Sequence, residues 1–281
     1  MKKLLSVAFQ GEPGAFSQMA VHKLLGEDGV RIIPCQRFED VFRRLTDKQV
    51  DTAVIPIENT LHGSVHENYD HLLHFDLEIV AETNVRISHN LIAPPGVPAK
   101  AVTRVFSHPV ALNQCLKFFS DNPQFERVPF YDTAGSVKMM MEERPEGAAA
   151  IASTMAAEIY GGKILKRNIE DDPSNFTRFF QLRRQGRKKT EPEASTVWKT
   201  SLVFTIRNVP GALFRSLSAL SLRDINLIKI ESRPLRGKPW EYLFYLDFEG
   251  RTTDPRVEKA LGHLSELADF IRVLGCYPRG T

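Results

Sequence analysis

Apolar residues along the first two thirds of the chain follow two alternating patterns. Short unbroken runs are followed by segments in which apolar positions recur every three or four residues. Leu4 to Phe9 reads as a strand, Ser17 to Leu25 as a helix and Arg31 to Cys35 as a strand. Phe38 to Leu45 then reads as a helix and Thr52 to Ile57 as a strand. That order predicts a parallel sheet with helices on its faces. A mixed stretch rich in His and Asn follows, then a strand-like run from Leu77 to Leu91. Pro94-Pro95-Gly96-Val97-Pro98 breaks the pattern, and the alternation restarts. Strands are expected at Arg104 to Phe106, Arg127 to Phe130 and Ala148 to Ile151. Helices are expected at Pro109 to Phe119, Thr133 to Met141 and Thr154 to Tyr160. Asn175 to Leu182 is a late strand that crosses back.

The period changes after a polar, charged stretch from Gly186 to Ser195. Beyond it the order is strand Thr200 to Ile206, helix Gly211 to Leu222, strand Asn226 to Arg233, strand Trp240 to Phe248, helix Pro255 to Leu267 and strand Phe270 to Leu274. This is the βαββαβ, or ferredoxin-like, order. The expected division is a bilobed α/β body over 1–185, a linker over 186–198 and a C-terminal domain over 199–281. The lobes of the body are roughly 1–85 with 174–185, and 86–173. A ligand is expected in the cleft between them.

A length of 281 residues suits two domains, and a net charge of +3 is too small to point to nucleic acid or membrane as a partner. The basic run Arg183 to Lys189 lacks interleaved aromatics and reads as solvated. Cys35, Cys115 and Cys276 are odd in number and share no CxxC spacing, which favours free thiols in a reducing compartment. No signal peptide and no membrane span is legible, so a cytoplasmic location is expected. His62, His66, His71 and His74 lie close together, but no familiar ligand pattern completes them, so no metal is expected.

Thr177-Arg178-Phe179, preceded by Asn175, sets a hydroxyl, a guanidinium and a ring side by side. Such a set suits a small anionic ring compound, because arginine grips a carboxylate with two parallel hydrogen bonds. The same residues also read as a strand with a surface arginine. Adjacent strand residues point to opposite faces, so Thr177 and Arg178 meet one ligand only if the strand ends or bends there. Gly11 to Gly14 is no GxGxxG and implies no dinucleotide. Asn59 could cap a turn, and Ser107 could cap the helix that follows it.

Taken together, these stretches resemble the prephenate dehydratase family over nearly the whole chain. The stretch from Gly11 to Ser17 is similar to its N-terminal Gly-rich motif. Val54 to Thr60 resembles its Pro-Ile-Glu-Asn-Ser motif, with Gly63-Ser64-Val65 following. Ser107 to Leu112 resembles Ser-His-Pro-Gln-Ala-Leu, and Thr177-Arg178-Phe179 resembles the Thr-Arg-Phe signature. Asp132-Thr133-Ala134 and Ala149 to Ala152 also fit. Thr60 stands where Ser is usual and Val110 where Gln is usual.

The resemblance implies a body of the type II periplasmic-binding-protein kind and a decarboxylating dehydration of prephenate without a cofactor. It implies that Thr177 is the catalytic hydroxyl, that Arg178 binds a carboxylate and that Phe179 shapes the site. Asn59, Ser107 and Gln114 would hold the substrate, with Glu58, Thr60, Ser64, Thr133 and Asn175 around them.

In the C-terminal domain, Asn208, Pro210, Gly211, Ala212, Leu213 and Phe214 resemble the Gly-Ala-Leu signature of the family's phenylalanine-binding ACT domain. Glu231, Ser232, Arg233 and Pro234 resemble its Glu-Ser-Arg-Pro signature, while Ile228 stands where Thr is common. The implied effector is L-phenylalanine, bound between two chains of a homodimer or a dimer of dimers. Because the first strand begins almost at residue 1, a monofunctional enzyme is expected. Two alternatives stand beside this one: a dehydratase acting on arogenate, the amino counterpart of prephenate, and a non-catalytic bilobed receptor fused to an amino-acid sensor.

Overall fold

The computed structural model describes residues 4–186, 197–235, 237, 238 and 240–280. Most of the expected linker lies outside the described residues. The chain forms two compact units, 1–75 with 83–181, and 76–82 with 182–281.

The first unit opens with β1 (Leu5–Gln10), α1 (Phe16–Leu25), β2 (Val30–Cys35), α2 (Phe38–Thr46) and β3 (Thr52–Asn59). Both β2 and β3 pair with β1 in parallel, as the β-α-β-α-β pattern predicts. In α2, Val41, Phe42 and Leu45 are fully buried while Arg43 and Arg44 stay in water, a one-sided helix held by its apolar face. Each such buried side chain is worth about 1.5–3 kcal/mol. A two-residue strand β4 (Gly63–Ser64) folds back on β3, and α3 (His66–His74) follows. Only Asn68, Tyr69 and Leu72 of α3 are buried, so its polar sequence concealed it.

β5 (Leu77–Arg86) begins in the second unit and ends in the first. The expected strand from Leu77 to Leu91 is in fact two strands, because β6 (Asn90–Ala93) belongs to another sheet. Between them the backbone bonds elsewhere: Ile87 N–H donates to the carbonyl of Asn175 at 2.8 Å, and His89 N–H to the Glu170 carboxylate at 2.9 Å. The second sheet continues through β7 (Arg104–Ser107), α4 (Pro109–Asn113), α5 (Leu116–Ser120), β8 (Glu126–Pro129), α6 (Thr133–Glu143), β9 (Ala148–Ala152), α7 (Thr154–Tyr160) and β10 (Lys163–Lys166). Its strand order is β10-β6-β9-β7-β8. The five residues of β9 are all buried, and four are alanine, so elements can pack closely on both of its faces.

The single helix expected over Pro109 to Phe119 is broken after Asn113. Asp171 supplies the reason: its carboxylate accepts the N–H groups of Leu116 and Lys117 at 2.8 and 2.9 Å and caps a fresh helix there. β11 (Phe176–Arg184) returns to the first sheet.

The second unit contains β12 (Trp198–Thr205), α8 (Ala212–Ser221), β13 (Leu227–Pro234), β14 (Tyr242–Glu249), α9 (Pro255–Leu267) and β15 (Phe270–Pro278). Alternate residues Leu202, Phe204, Leu246 and Phe248 face Ala219, Leu220, Val257, Ala260 and Leu264 of the two helices. The order β13-β14-β12-β15 is the antiparallel ferredoxin-like sheet, with β13 at its end.

Candidate active site

A cleft of about 440 Å³ in the first unit is lined by strands of the first sheet and by loops and helices around both sheets. Asn59, Ser64 and Thr177 come from strands of the first sheet and His62 from the turn between two of them; His108, Gln114, Asp132 and Thr133 come from the ends of α4 and the start of α6, beside the second. Among the described residues no lysine or arginine lines it, and Asp132 is the one carboxylate that does.

Asn59 organises one wall. Its Oδ1 accepts the N–H groups of Leu61 and His62, both at 3.0 Å, which fixes the amide orientation. The two hydrogens on its Nδ2 are shared among three acceptors, Asn175 Oδ1 at 2.8 Å, Thr177 Oγ1 at 3.0 Å and the Phe176 carbonyl at 3.1 Å. A hydroxyl whose oxygen already accepts a hydrogen bond has its own proton left to donate. Thr177, 9 % exposed, is thereby set to donate into the cleft.

Gln114 organises the opposite wall. His89 and Gln114 are joined Nε2 to Oε1 at 2.7 Å, and Gln114 Nε2 meets His62 Nδ1 at 3.1 Å. An amide oxygen only accepts and an amide nitrogen only donates, so both imidazoles are fixed as the Nε2–H tautomer, His89 as donor to Gln114 and His62 as acceptor from it. His89 carries its proton on Nε2, and His62 on the Nε2 free of Gln114. Burial pushes the His89 pKa below the ordinary imidazole value, as it does for His108, so both are neutral at neutral pH. His89 Nδ1 is buried with no hydrogen-bond partner.

The turn before α1 closes a third side. Gly14 has φ +89°, and a Cβ there would lie 2.6 Å from the Cα of Ala156 in α7, so only glycine permits this approach. Gln18 Oε1 accepts the Gly14 N–H and Ser153 donates to its carbonyl. No side chain caps the start of α1, and Ala15, Phe16 and Ser17 line the cleft there. An uncapped helix start attracts anions through its free N–H groups and its dipole. Across from it Asp132 caps α6, accepting Gly135 N–H at 2.8 Å. Burial is the main cause that raises the Asp132 pKa. Glu12 receives the Tyr131 hydroxyl at 3.0 Å and Lys138 at 3.2 Å, tying the turn to the second sheet.

Of the residues named from sequence, Thr177, Asn59, Gln114, Ser64 and Thr133 come together around this cleft, and Val110 lines it too. Arg178 does not. β11 runs on as a regular strand, so Arg178 faces the other way. Its guanidinium sits 3.7 Å from Glu58 and stacks 4.7 Å from the centre of the Phe180 ring. Glu58, its partner, lies outside the lining for the same reason. Phe179 is in the core with Val7, Phe9 and Val54.

Ser107 is fully buried and donates to the Ile151 carbonyl at 2.7 Å, so it braces the second sheet. His108, not Ser107, caps α4. Thr60 bonds across to Ser174 and Phe176, and Asn175 supports Asn59 from behind. His62 lies before α3, the helix that carries the other three histidines, and His71 pairs with Glu67 at 3.4 Å. Among the described residues no group of three or more His, Cys, Asp or Glu is placed to hold a metal. The sequence reading did not single out His62, His89, His108 or Asp132 as site residues. The Ser-His-Pro and Asp-Thr-Ala stretches already contained two of them.

A smaller cavity of about 210 Å³ in the second unit lies at the start of α8. Asn208, Gly211, Ala212, Leu213 and Phe214 line it, with Tyr242 and Phe244 opposite. Pro210 is beside it in sequence but not in the lining. Glu231, Ser232, Arg233 and Pro234 are on the end strand β13 and do not line it. Glu231 and Arg233 oppose Tyr245 and Leu243, on the sheet face away from the helices, and Glu231 pairs with Lys229 at 3.7 Å.

The family model for prephenate dehydratase matches residues 7–187, and that for the ACT domain matches 200–264. An Arabidopsis thaliana protein named arogenate dehydratase/prephenate dehydratase 1, chloroplastic, is 42 % identical over 97 % of this chain and 71 % of its own. The prephenate dehydratase of Arthrobacter aurescens, solved with L-Phe, superposes with a TM-score of 0.88 at 32 % identity, covering 98 % of this chain and 90 % of that one. A solved structure described as GqqA, a novel type of quorum-quenching acylase, also gives 0.88, at 34 % identity and 98 % coverage of both chains.

Proposed function

The chain belongs to the prephenate dehydratase family and carries an ACT domain, and on that premise we propose that its cleft carries out the decarboxylating dehydration of prephenate or of arogenate. One observation supports this above the others: Asn59 donates to the Thr177 oxygen and leaves the hydroxyl proton to be given into a cleft lined by no described lysine or arginine.

In that reaction the bond from the ring to its carboxylate breaks, and its electron pair makes the ring aromatic. The ring hydroxyl leaves and needs a proton to depart as water. Thr177 is too weak an acid to yield a free proton early, but its hydrogen bond to the departing oxygen strengthens as charge develops. The leaving carboxylate must lose its charge. A lysine or arginine on it would stabilise the ground state, and the described lining has neither. The side-chain carboxylate then falls to the uncapped start of α1, with Ser17 and Thr133 nearby, in place of Arg178. The acylase chemistry named for one structural relative needs a base on the nucleophile's proton. Thr177 has none bonded to it among the described residues.

The 210 Å³ cavity is proposed as the L-phenylalanine site. The N–H groups at the start of α8 would meet the effector carboxylate, and Leu213, Tyr242 and Phe244 its ring. A second chain, through its Glu231 to Pro234 stretch, would complete the site. The body, linker and regulatory domain boundaries read from sequence stay part of this proposal.

Incubating the purified protein with prephenate and with arogenate, and following phenylpyruvate and phenylalanine, tests the reading. Turnover of one or both, altered by added phenylalanine, is the expected result. No turnover of either removes it.

A further inference from the structure

Prephenate and arogenate differ at one atom that carries charge. The first has a keto oxygen in its side chain and two carboxylates, so its net charge is −2. The second has an ammonium group there, so its side chain is a zwitterion and its net charge is −1. The cleft meets them with an unusual electrostatic inventory. Among its described lining residues are no lysine and no arginine, three histidines, of which His89 and His108 are held neutral by burial, and one carboxylate. That carboxylate is Asp132, 9 % exposed; burial above all, with Glu12 nearby, raises its pKa, and no described lysine or arginine pairs with it. Of its oxygens, Oδ1 caps α6 through Gly135 N–H, while Oδ2 lies 3.2 Å from where a Cβ on Gly11 would sit. Asp132 thus sits beside the turn that leads to the uncapped start of α1.

A buried carboxylate without a counter-ion repels an incoming dianion and attracts an ammonium, and the low-dielectric surroundings magnify both effects. The start of α1, which lines the same cleft, suits a carboxylate. An amino-acid side chain presents these two charges on one carbon, so a single group satisfies both features. A keto acid satisfies only the second.

We propose that Asp132 is the counter-ion for the substrate's α-ammonium group, and that the cleft is built for the aminated substrate, arogenate, in preference to prephenate. This rests on the decarboxylating dehydration proposed above and adds the choice of substrate. It also assigns Asp132 a role beyond capping: the energetic cost of burying it unpaired is recovered when the ammonium arrives.

The experiment compares kcat/KM for both substrates in the wild type, in Asp132→Asn and in Asp132→Ser. Both replacements keep an N-cap for α6, so the fold should survive, as thermal melts will check. The wild type should favour arogenate. In the variants the arogenate-to-prephenate ratio of kcat/KM should fall about 10- to 100-fold, the value of a charge-assisted hydrogen bond. A wild type that prefers prephenate, or variants that lose both substrates in equal proportion, overturns the assignment of Asp132 and leaves the reaction standing. Failure of the wild type to turn over either substrate overturns the reaction, and this inference with it. Should neither variant fold, the wild-type preference alone decides.

Discussion

The cleft of the first unit and the small cavity of the second hold their polar groups in opposite ways. The cleft draws side chains from residue 10 to residue 177 and locks them to each other: Asn59 on Thr177 and Asn175, Gln114 between His62 and His89. The cavity draws on two short stretches, 206–214 and 242–244, and its aromatic wall is loose, with Phe214 77 % exposed. The first arrangement fixes where protons are before any ligand arrives, which chemistry requires. The second leaves a helix start and an exposed ring to be ordered by what binds. That suits a sensor, whose ligand must change an equilibrium by binding two states unequally.

The sharpest way to break this comparison is at Thr177. Thr177→Ala should lower turnover about 10²–10³-fold at an unchanged melting temperature, the loss typical of one transition-state donor. Thr177→Ser should retain most of the rate. A fully active alanine variant would remove the hydroxyl from the mechanism.

Next in size is the group behind it. Asn59→Ala should cost about 10–100-fold in kcat, because the Thr177 proton would no longer be directed into the cleft. A change in KM alone would show instead that Asn59 contacts substrate without orienting Thr177.

On the sensor side, Gly211 has φ +77° at the start of α8. Gly211→Ala should weaken the response to phenylalanine about 5–10-fold, since a left-handed backbone costs any other residue about 1–2 kcal/mol. Turnover without effector should stay as it was. An unaltered phenylalanine titration would mean that the start of α8 is not part of the effector site.

Arg178 should show a smaller, structural effect. Arg178→Ala is expected to cost about 1 kcal/mol of stability through Glu58 and the Phe180 ring, with kcat/KM within a few-fold of wild type. A large rise in KM with stability intact would put its guanidinium on the substrate.

The smallest effect is on pH. The folded pKa of His89 is lowered by burial, so the unfolded chain binds its proton more readily. The stability held in the neutral ring is complete above the ordinary value of 6.5 and is lost as pH falls through the folded value. Melting temperature should therefore drop between neutrality and pH 5, and His89→Gln should flatten that slope. An identical slope in the variant would assign the dependence elsewhere.

The hydrophobic pattern alone determined the alternating α/β body and the βαββαβ domain. A 3.6 or 2.0 period is a local property, set by which face of each element must leave water. It brought α7 and α9 out with their boundaries intact, and it read the stretches that hold Asn59, Gln114 and Thr177. Tertiary structure alone decided which of two adjacent residues on β11 meets the cleft, where the helix after Ser107 breaks, and that no described lysine or arginine pairs with Asp132. Those outcomes depend on partners more than 40 residues away in the chain, Glu58 for Arg178 and Asp171 for Leu116, and the spacing of side chains along one segment carries no information about what a distant segment places opposite.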